Sequence, residues 1–190
     1  MGNESMHWVI EHLSHCTLNI TISLMREIVI IAHDIRSTHN IGSLLRTCDG
    51  LGVRAVYFTG YTPYPALAEN DPCLPHIAQK LTRQIHKTAL GAEDFVPWSH
   101  IEDIHACIRQ LHSQGFTVAA LEQTGRSTPL PDFTAPQKIA LLLGREVEGI
   151  APDILALCDV AVEIPMAGQK ESFNVVQAAA MALYHLRFSV

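Results

Sequence analysis

The stretch Ile164-Pro165-Met166-Ala167-Gly168-Gln169-Lys170-Glu171-Ser172-Phe173-Asn174 decides how this chain is read. The hydrophobic run Val160–Ile164 leads into it, and an Ala-rich segment leaves it at Asn174 and continues almost to Val190. The pattern predicts a buried strand, a loop and a buried helix. Taken alone, the loop is a turn with Ser172 or Asn174 as N-cap and Glu171 near the positive end of the helix dipole. It also gathers backbone amides, a hydroxyl, a carboxylate and a side-chain amide at one place. That is binding chemistry.

Working outward, short apolar runs at Glu27–Ala32, Val53–Thr59, Phe95–Trp98, Phe116–Leu121 and Lys138–Leu143 read as further strands. Asn40–Leu51, His76–Ala89 and Ile101–Ser113 read as helices between them, with Gly52 as a stop signal after the first. Strands alternating with helices predict an α/β fold with a mostly parallel sheet flanked by helices. Ligands in such sheets bind beyond the carboxyl ends of the strands, so Leu121, Gly144 and Pro165 mark the functional edge. The irregular stretch Tyr61–Pro75 reads as a lid or binding loop.

A length of 190 residues fits one domain, and 48% hydrophobic with 17% charged residues supports a real core. The net charge of −6 gives no general basic field, so a polyanionic partner must meet a local patch. Five widely spaced cysteines without a C-x-x-C pair fit reduced thiols in a cytoplasmic protein. The 11 histidines show no ligand spacing, and no metal is expected. No apolar run approaches the roughly 20 residues of a membrane span, and no secretory signal is visible. Residues 1–25 read as an N-terminal appendage, disordered or left over from expression, with the domain at 26–190.

Two earlier segments answer the opening loop. In Asn40-Ile41-Gly42-Ser43-Leu44-Leu45-Arg46, Asn40 is a plausible helix cap and Arg46 a solvated residue. Yet Asn40, Ser43 and Arg46 fall near one face, opposite the apolar stripe, and Gly42 leaves room for a close neighbour. In Leu143-Gly144-Arg145-Glu146-Val147-Glu148-Gly149 a carboxylate sits where the chain turns sharply after a buried strand. Neither segment is a Rossmann or Walker phosphate loop.

Together these three segments resemble the SpoU, or TrmH-like, branch of the SPOUT RNA methyltransferases, whose motifs run N-x-G-x-x-x-R, L-G-x-E-x-x-G and I-P-M-x-G-x-x-x-S-L-N-V-x-x-A. Lys87–Ala92 is similar to the family's intervening small-residue element. The resemblance spans about Arg26 to Phe188. It implies a C-terminal deep trefoil knot, a homodimer built on the last helix, and S-adenosylmethionine as cofactor, leaving as S-adenosylhomocysteine. By the same carry-over, Leu121, Gly144, Ile164, Met166, Ser172 and Phe173 hold the cofactor. Arg46 is the central catalytic residue, with Asn40, Glu146, Ser172 and Asn174 positioning it and the substrate hydroxyl.

The implied reaction is methylation of a ribose 2′-hydroxyl in tRNA or rRNA, the compact form favouring tRNA. An arginine pKa above about 12 favours holding a phosphate over taking a proton. The family's proposal of arginine as proton acceptor stays open beside it. Arg36, Arg46, Arg126, Arg145 and Lys170 are the expected RNA-binding patch. The sequence departs from the family pattern at Phe173, where Leu is usual, and at Val176-Gln177, where small residues are usual. With no added RNA-binding domain visible, recognition would fall to the catalytic dimer. The alternatives are an inactive knotted RNA-binding module and a methyltransferase acting on a small molecule.

Overall fold

In β1 (Glu27–His33) the side chains from Ile28 to His33 are buried, as expected of a strand covered on both faces. The computed structural model describes residues 25–67, 69 and 71–189, so the expected N-terminal appendage lies outside the described residues apart from Met25. The other strands are β2 (Ala55–Thr59), β3 (Trp98–Ile101), β4 (Thr117–Leu121), β5 (Thr128–Pro129), β6 (Lys138–Leu143) and β7 (Val160–Glu163). They form one sheet in the order β3-β2-β1-β6-β4-β7-β5, and every pairing in it is parallel. The α-helices are α1 (Thr38–Gly50), α2 (Pro75–Ala89), α3 (Ile104–Ser113), the short α4 (Pro152–Leu155) and α5 (Val175–Phe188).

Strand periodicity divides the core. Ile28, Ile30 and Ala32 face a layer with α1, α2 and α5, whereas Val29 and Ile31 face α3 and α4. Each fully buried Ile or Val contributes about 1.5–3 kcal/mol by leaving water. α1 and α2 meet at Gly42, where a Cβ would stand 2.2 Å from both Ile85 O and Thr88 Oγ1. The room expected at Gly42 is occupied by the neighbouring helix.

Three sequence expectations shift. Ser37, and not Asn40, caps α1, its hydroxyl accepting from the Asn40 N–H at 3.2 Å. The strand expected at Phe95–Trp98 runs Trp98–Ile101, because a 3₁₀ turn over Ala92–Asp94 leaves Phe95 exposed. The helix expected from Ile101 accordingly begins at Ile104, capped by the Asp103 carboxylate, which accepts from His105 N–H at 2.9 Å. Among the described residues no helix is long and apolar enough to cross a membrane.

Candidate active site

The carboxyl ends of β4, β6 and β7 open into a cavity of about 330 Å³, within the roughly 300–1,000 Å³ typical of small-molecule sites. The six residues expected to hold the cofactor, Leu121, Gly144, Ile164, Met166, Ser172 and Phe173, all line it. Three adjacent parallel strands end here, and the chain beyond each leaves peptide groups outside the ladder.

Gly144 shapes the cavity. A Cβ there would stand 2.6 Å from Ile150 Cγ1 and 2.9 Å from the Gly149 carbonyl carbon, closer than real side chains approach. The loop folds back because Arg145 and Gly149 exchange two backbone hydrogen bonds of 3.2 Å, putting Glu146, Val147 and Glu148 at its exposed tip. Glu122, which sequence reasoning missed, pins the loop by accepting from Ile150 N–H at 2.9 Å. Its only signal in sequence is its position one residue past β4.

The three motifs meet at one point. Asn40 donates from Nδ2 to Glu146 Oε1 at 3.2 Å, and Asn174 donates from Nδ2 to Asn40 Oδ1 at 3.4 Å. Asn174 also caps α5, its Oδ1 accepting from Val176 N–H at 2.9 Å. One residue thus fixes the start of the last helix and reaches the first motif. Ser37 makes this possible: by capping α1 it frees the Asn40 side chain to turn outward.

Arg46 is exposed on α1, and Ser172 is exposed on the cavity wall. Among the described residues no hydrogen bond ties either to the Asn40–Glu146–Asn174 chain. The expected basic patch also divides. Arg145 is not a free surface cation: Nε and Nη2 donate to Asp34 Oδ2 at 3.2 and 2.9 Å, and this pairing raises its pKa. Arg36 lies against Tyr61, 5.5 Å from its ring centroid. Lys170 stands 3.9 Å from Glu171 in solvent, a pair worth little, and Arg126 is exposed in the loop after β4.

Burial pushes the Cys107 thiol up to about 12 and Cys158 up to about 11, and raises Cys48 further, so none is a ready thiolate nucleophile. Among the described residues no group of three or more His, Cys, Asp or Glu is placed to hold a metal ion.

The site's elements recur in known proteins. The sequence profile of the SpoU rRNA Methylase family matches residues 73–184. A tRNA (guanosine(18)-2′-O)-methyltransferase of Thermus thermophilus is 32% identical over 163 residues, covering 83% of this chain and 73% of the relative. Among solved structures, the AdoMet-bound rRNA methyltransferase from Sinorhizobium meliloti superposes with a TM-score of 0.71 at 21% identity, over 85% of this chain and 56% of that one. The SpoU methyltransferase AviRb from Streptomyces viridochromogenes gives 0.68 at 24% identity, over 85% and 60%. The chain therefore spans under two thirds of these two solved chains, and at such identities the likeness speaks for the fold. The profile covers more than half of the chain and takes in the second and third motifs; this protein belongs to the SpoU rRNA Methylase family.

Proposed function

We propose that this chain transfers a methyl group from S-adenosylmethionine to a ribose 2′-hydroxyl of RNA, tRNA or rRNA, and releases S-adenosylhomocysteine. The observation that carries the reading is the Asn40–Glu146–Asn174 chain of hydrogen bonds, which draws three distant motifs to the rim of one cavity. The Thermus relative's name, a tRNA 2′-O-methyltransferase, points the same way.

The cavity suits the cofactor. Among the described residues, Glu122, Glu146, Glu148, Glu163 and Glu171 line it against a single guanidinium, Arg145, a balance that favours a sulfonium and an ammonium. Leu121, Gly144, Ile164, Met166, Ser172 and Phe173 would hold the molecule, the strand-end peptide groups reading the adenine edge. When bound, it supplies an electrophilic methyl group. Arg46 would hold the neighbouring phosphate and orient the hydroxyl, since a guanidinium keeps its own proton at neutral pH. Asn40, Glu146, Asn174 and Ser172 would restrict the approach to a near-attack geometry.

The same reading includes the family's trefoil knot, with the loops after β6 and β7 as its strands, and a homodimer. In support of a dimer, α5 exposes Met181, Tyr184 and Phe188 at helical spacing, the last two rings 4.8 Å apart. Unbridged cysteines at positions 48, 73, 107 and 158 favour a cytoplasmic setting. Residues 26–190 form the catalytic domain on this reading.

Incubation with methyl-labelled S-adenosylmethionine and total RNA tests the reaction. Labelled, nuclease-sensitive product is expected; label that stays in small molecules, or none at all, overturns the proposal. Arg46→Ala should lower transfer by about a hundredfold or more while calorimetry returns unchanged cofactor affinity. Unchanged turnover would remove Arg46 from the mechanism.

A further inference from the structure

Beyond β1 and β2, the same sheet edge carries a second built arrangement. Asp34 has φ 56°, in the left-handed region that side chains rarely adopt, and is only 6% exposed. Gly60, after β2, faces it with φ 62°, and a Cβ there would lie 2.0 Å from Asp34 Oδ1. Two conformational costs meet at one carboxylate, which persists only where the surroundings over-determine the geometry.

Each oxygen of that carboxylate has its own donor. Oδ1 accepts from Tyr61 N–H at 3.2 Å, and Oδ2 accepts from both Nε and Nη2 of Arg145. His33 Nε2 stands 3.4 Å from Oδ2, while its Nδ1 is 2.9 Å from Thr59 Oγ1. Thr62 Oγ1 accepts from Ile35 N–H at 3.1 Å and donates to Ala32 O at 3.0 Å. The turns after β1 and β2 are therefore sewn together.

What this bracing holds out to solvent is Tyr61, 48% exposed, with two guanidiniums beside its ring. Arg145 Cζ lies 5.8 Å and Arg36 Cζ 5.5 Å from the centroid. Stability alone needs neither an exposed ring nor the second cation. A protein with a net charge of −6 that binds a polyanion does need paired, pre-placed cations. Arg145 also lines the cofactor cavity, so its end of the pair sits at the cavity wall.

We propose that Asp34 is a positioning residue: its carboxylate sets Tyr61 and Arg145 so that Arg145 and Arg36 together grip one phosphodiester of the substrate RNA beside the target ribose. The proposal rests on the RNA-methyltransferase reading above. Arg145 commits Nε and Nη2 to Asp34 and keeps Nη1 for a phosphate oxygen. Arg36, spaced by the Tyr61 ring, closes on the same group from the solvent side. A guanidinium pair on a phosphate is strong because its fork geometry is fixed before the ligand arrives.

The test is fluorescence anisotropy of labelled bulk tRNA titrated with the full chain across a range of salt. Arg36→Gln should lower the slope of log affinity against log salt by about 0.7–0.9 and weaken binding about five- to tenfold at about 0.1 M salt. Tyr61→Leu should weaken binding severalfold with a smaller change in slope, because both charges remain but lose their spacer. Calorimetry with S-adenosylmethionine checks that both variants keep a folded cofactor cavity. Wild-type slope and affinity in Arg36→Gln overturn the grip, as does a wild-type chain that binds no RNA. Should the variants behave as expected while the wild type transfers no methyl group, the grip stands and the catalytic reading falls. Should the wild type methylate RNA while the variants bind normally, the reverse holds.

Discussion

The two halves of the sheet's carboxyl edge are built by opposite means. Beyond β4, β6 and β7 the wall combines strand-end apolar residues and two glycines with carboxylates, and Glu146, Glu148 and Glu171 are exposed around a cavity. Beyond β1 and β2 the structure is made by side chains: buried Asp34 serves Tyr61 and Arg145, and His33 and Thr62 lock the turns around it. The first half leaves a cavity between its strand ends; the second fills the space between its turns with paired side chains. An open half can be emptied of function by filling space, whereas a braced half fails by losing one partner.

Gly144→Val should have the largest effect on the open half. A side chain directed at Ile150 and Gly149 should cost the cavity about tenfold to a hundredfold in S-adenosylmethionine affinity, the equivalent of about 1–3 kcal/mol of overpacking. Retained affinity by calorimetry would mean the cavity is not where the cofactor sits. On the braced half, Asp34→Ala leaves Tyr61 N–H and Arg145 without their acceptor and keeps a strained φ. Its melting temperature should fall by about 5 °C or more, followed by circular dichroism. A stable Asp34→Ala would show the bracing to be ornamental.

Asn174→Ala tests the residue that joins the cavity wall to the first motif. It removes an N-cap worth about 1 kcal/mol, so a melting shift of roughly 2–4 °C is expected, together with a larger loss of transfer than of stability. Equal losses would reduce Asn174 to a cap. The smallest effect is acid sensitivity through His33. Burial holds its pKa below the ordinary 6.5, against the pull of Asp34 and Asp153, with Arg145 and His105 adding to the depression. The unfolded chain thus binds the proton more readily, so His33 supports the fold above pH 6.5 and that support is lost as pH falls through the lowered value. Thermal unfolding of wild type and His33→Gln between about pH 7.5 and about 5 should converge towards the acid side; parallel curves would exclude His33 as the cause.

Much of the cavity half was legible because glycine and strand-end positions announce themselves. Leu121, Gly144 and Pro165 each close an apolar run, whereas Ile164 and Met166 came only with the family resemblance. Lys138–Leu143 matched its strand residue for residue, since so short and continuous an apolar run has few other folds open to it. The Asn40 cap was misread because Ser37 is as good a cap, and only the position of Glu146 shows which of the two is needed elsewhere. Phe95 was misplaced because a 3₁₀ turn over Ala92–Asp94, entered through Gly91 at φ 96°, leaves no periodic signature. Glu122 carried no motif at all.

The layer architecture, the parallel sheet and the strand-end edge that holds the cavity are readable from the chain's own pattern, and its motifs carry the family resemblance. The architecture follows from periodicity and from backbone rules that act over a few residues, whereas the family assignment rests on motif likeness and the profile match. Only the tertiary structure decided that Asn40, Glu146 and Asn174 share hydrogen bonds across 106 and 134 residues. It alone turned Arg145 from a surface charge into an anchored one, held by Asp34 from 111 residues away. Pairings of that separation are fixed by strand order and register, which no local pattern encodes, and so the chemistry of the braced half became visible only once β1, β2 and β6 stood side by side.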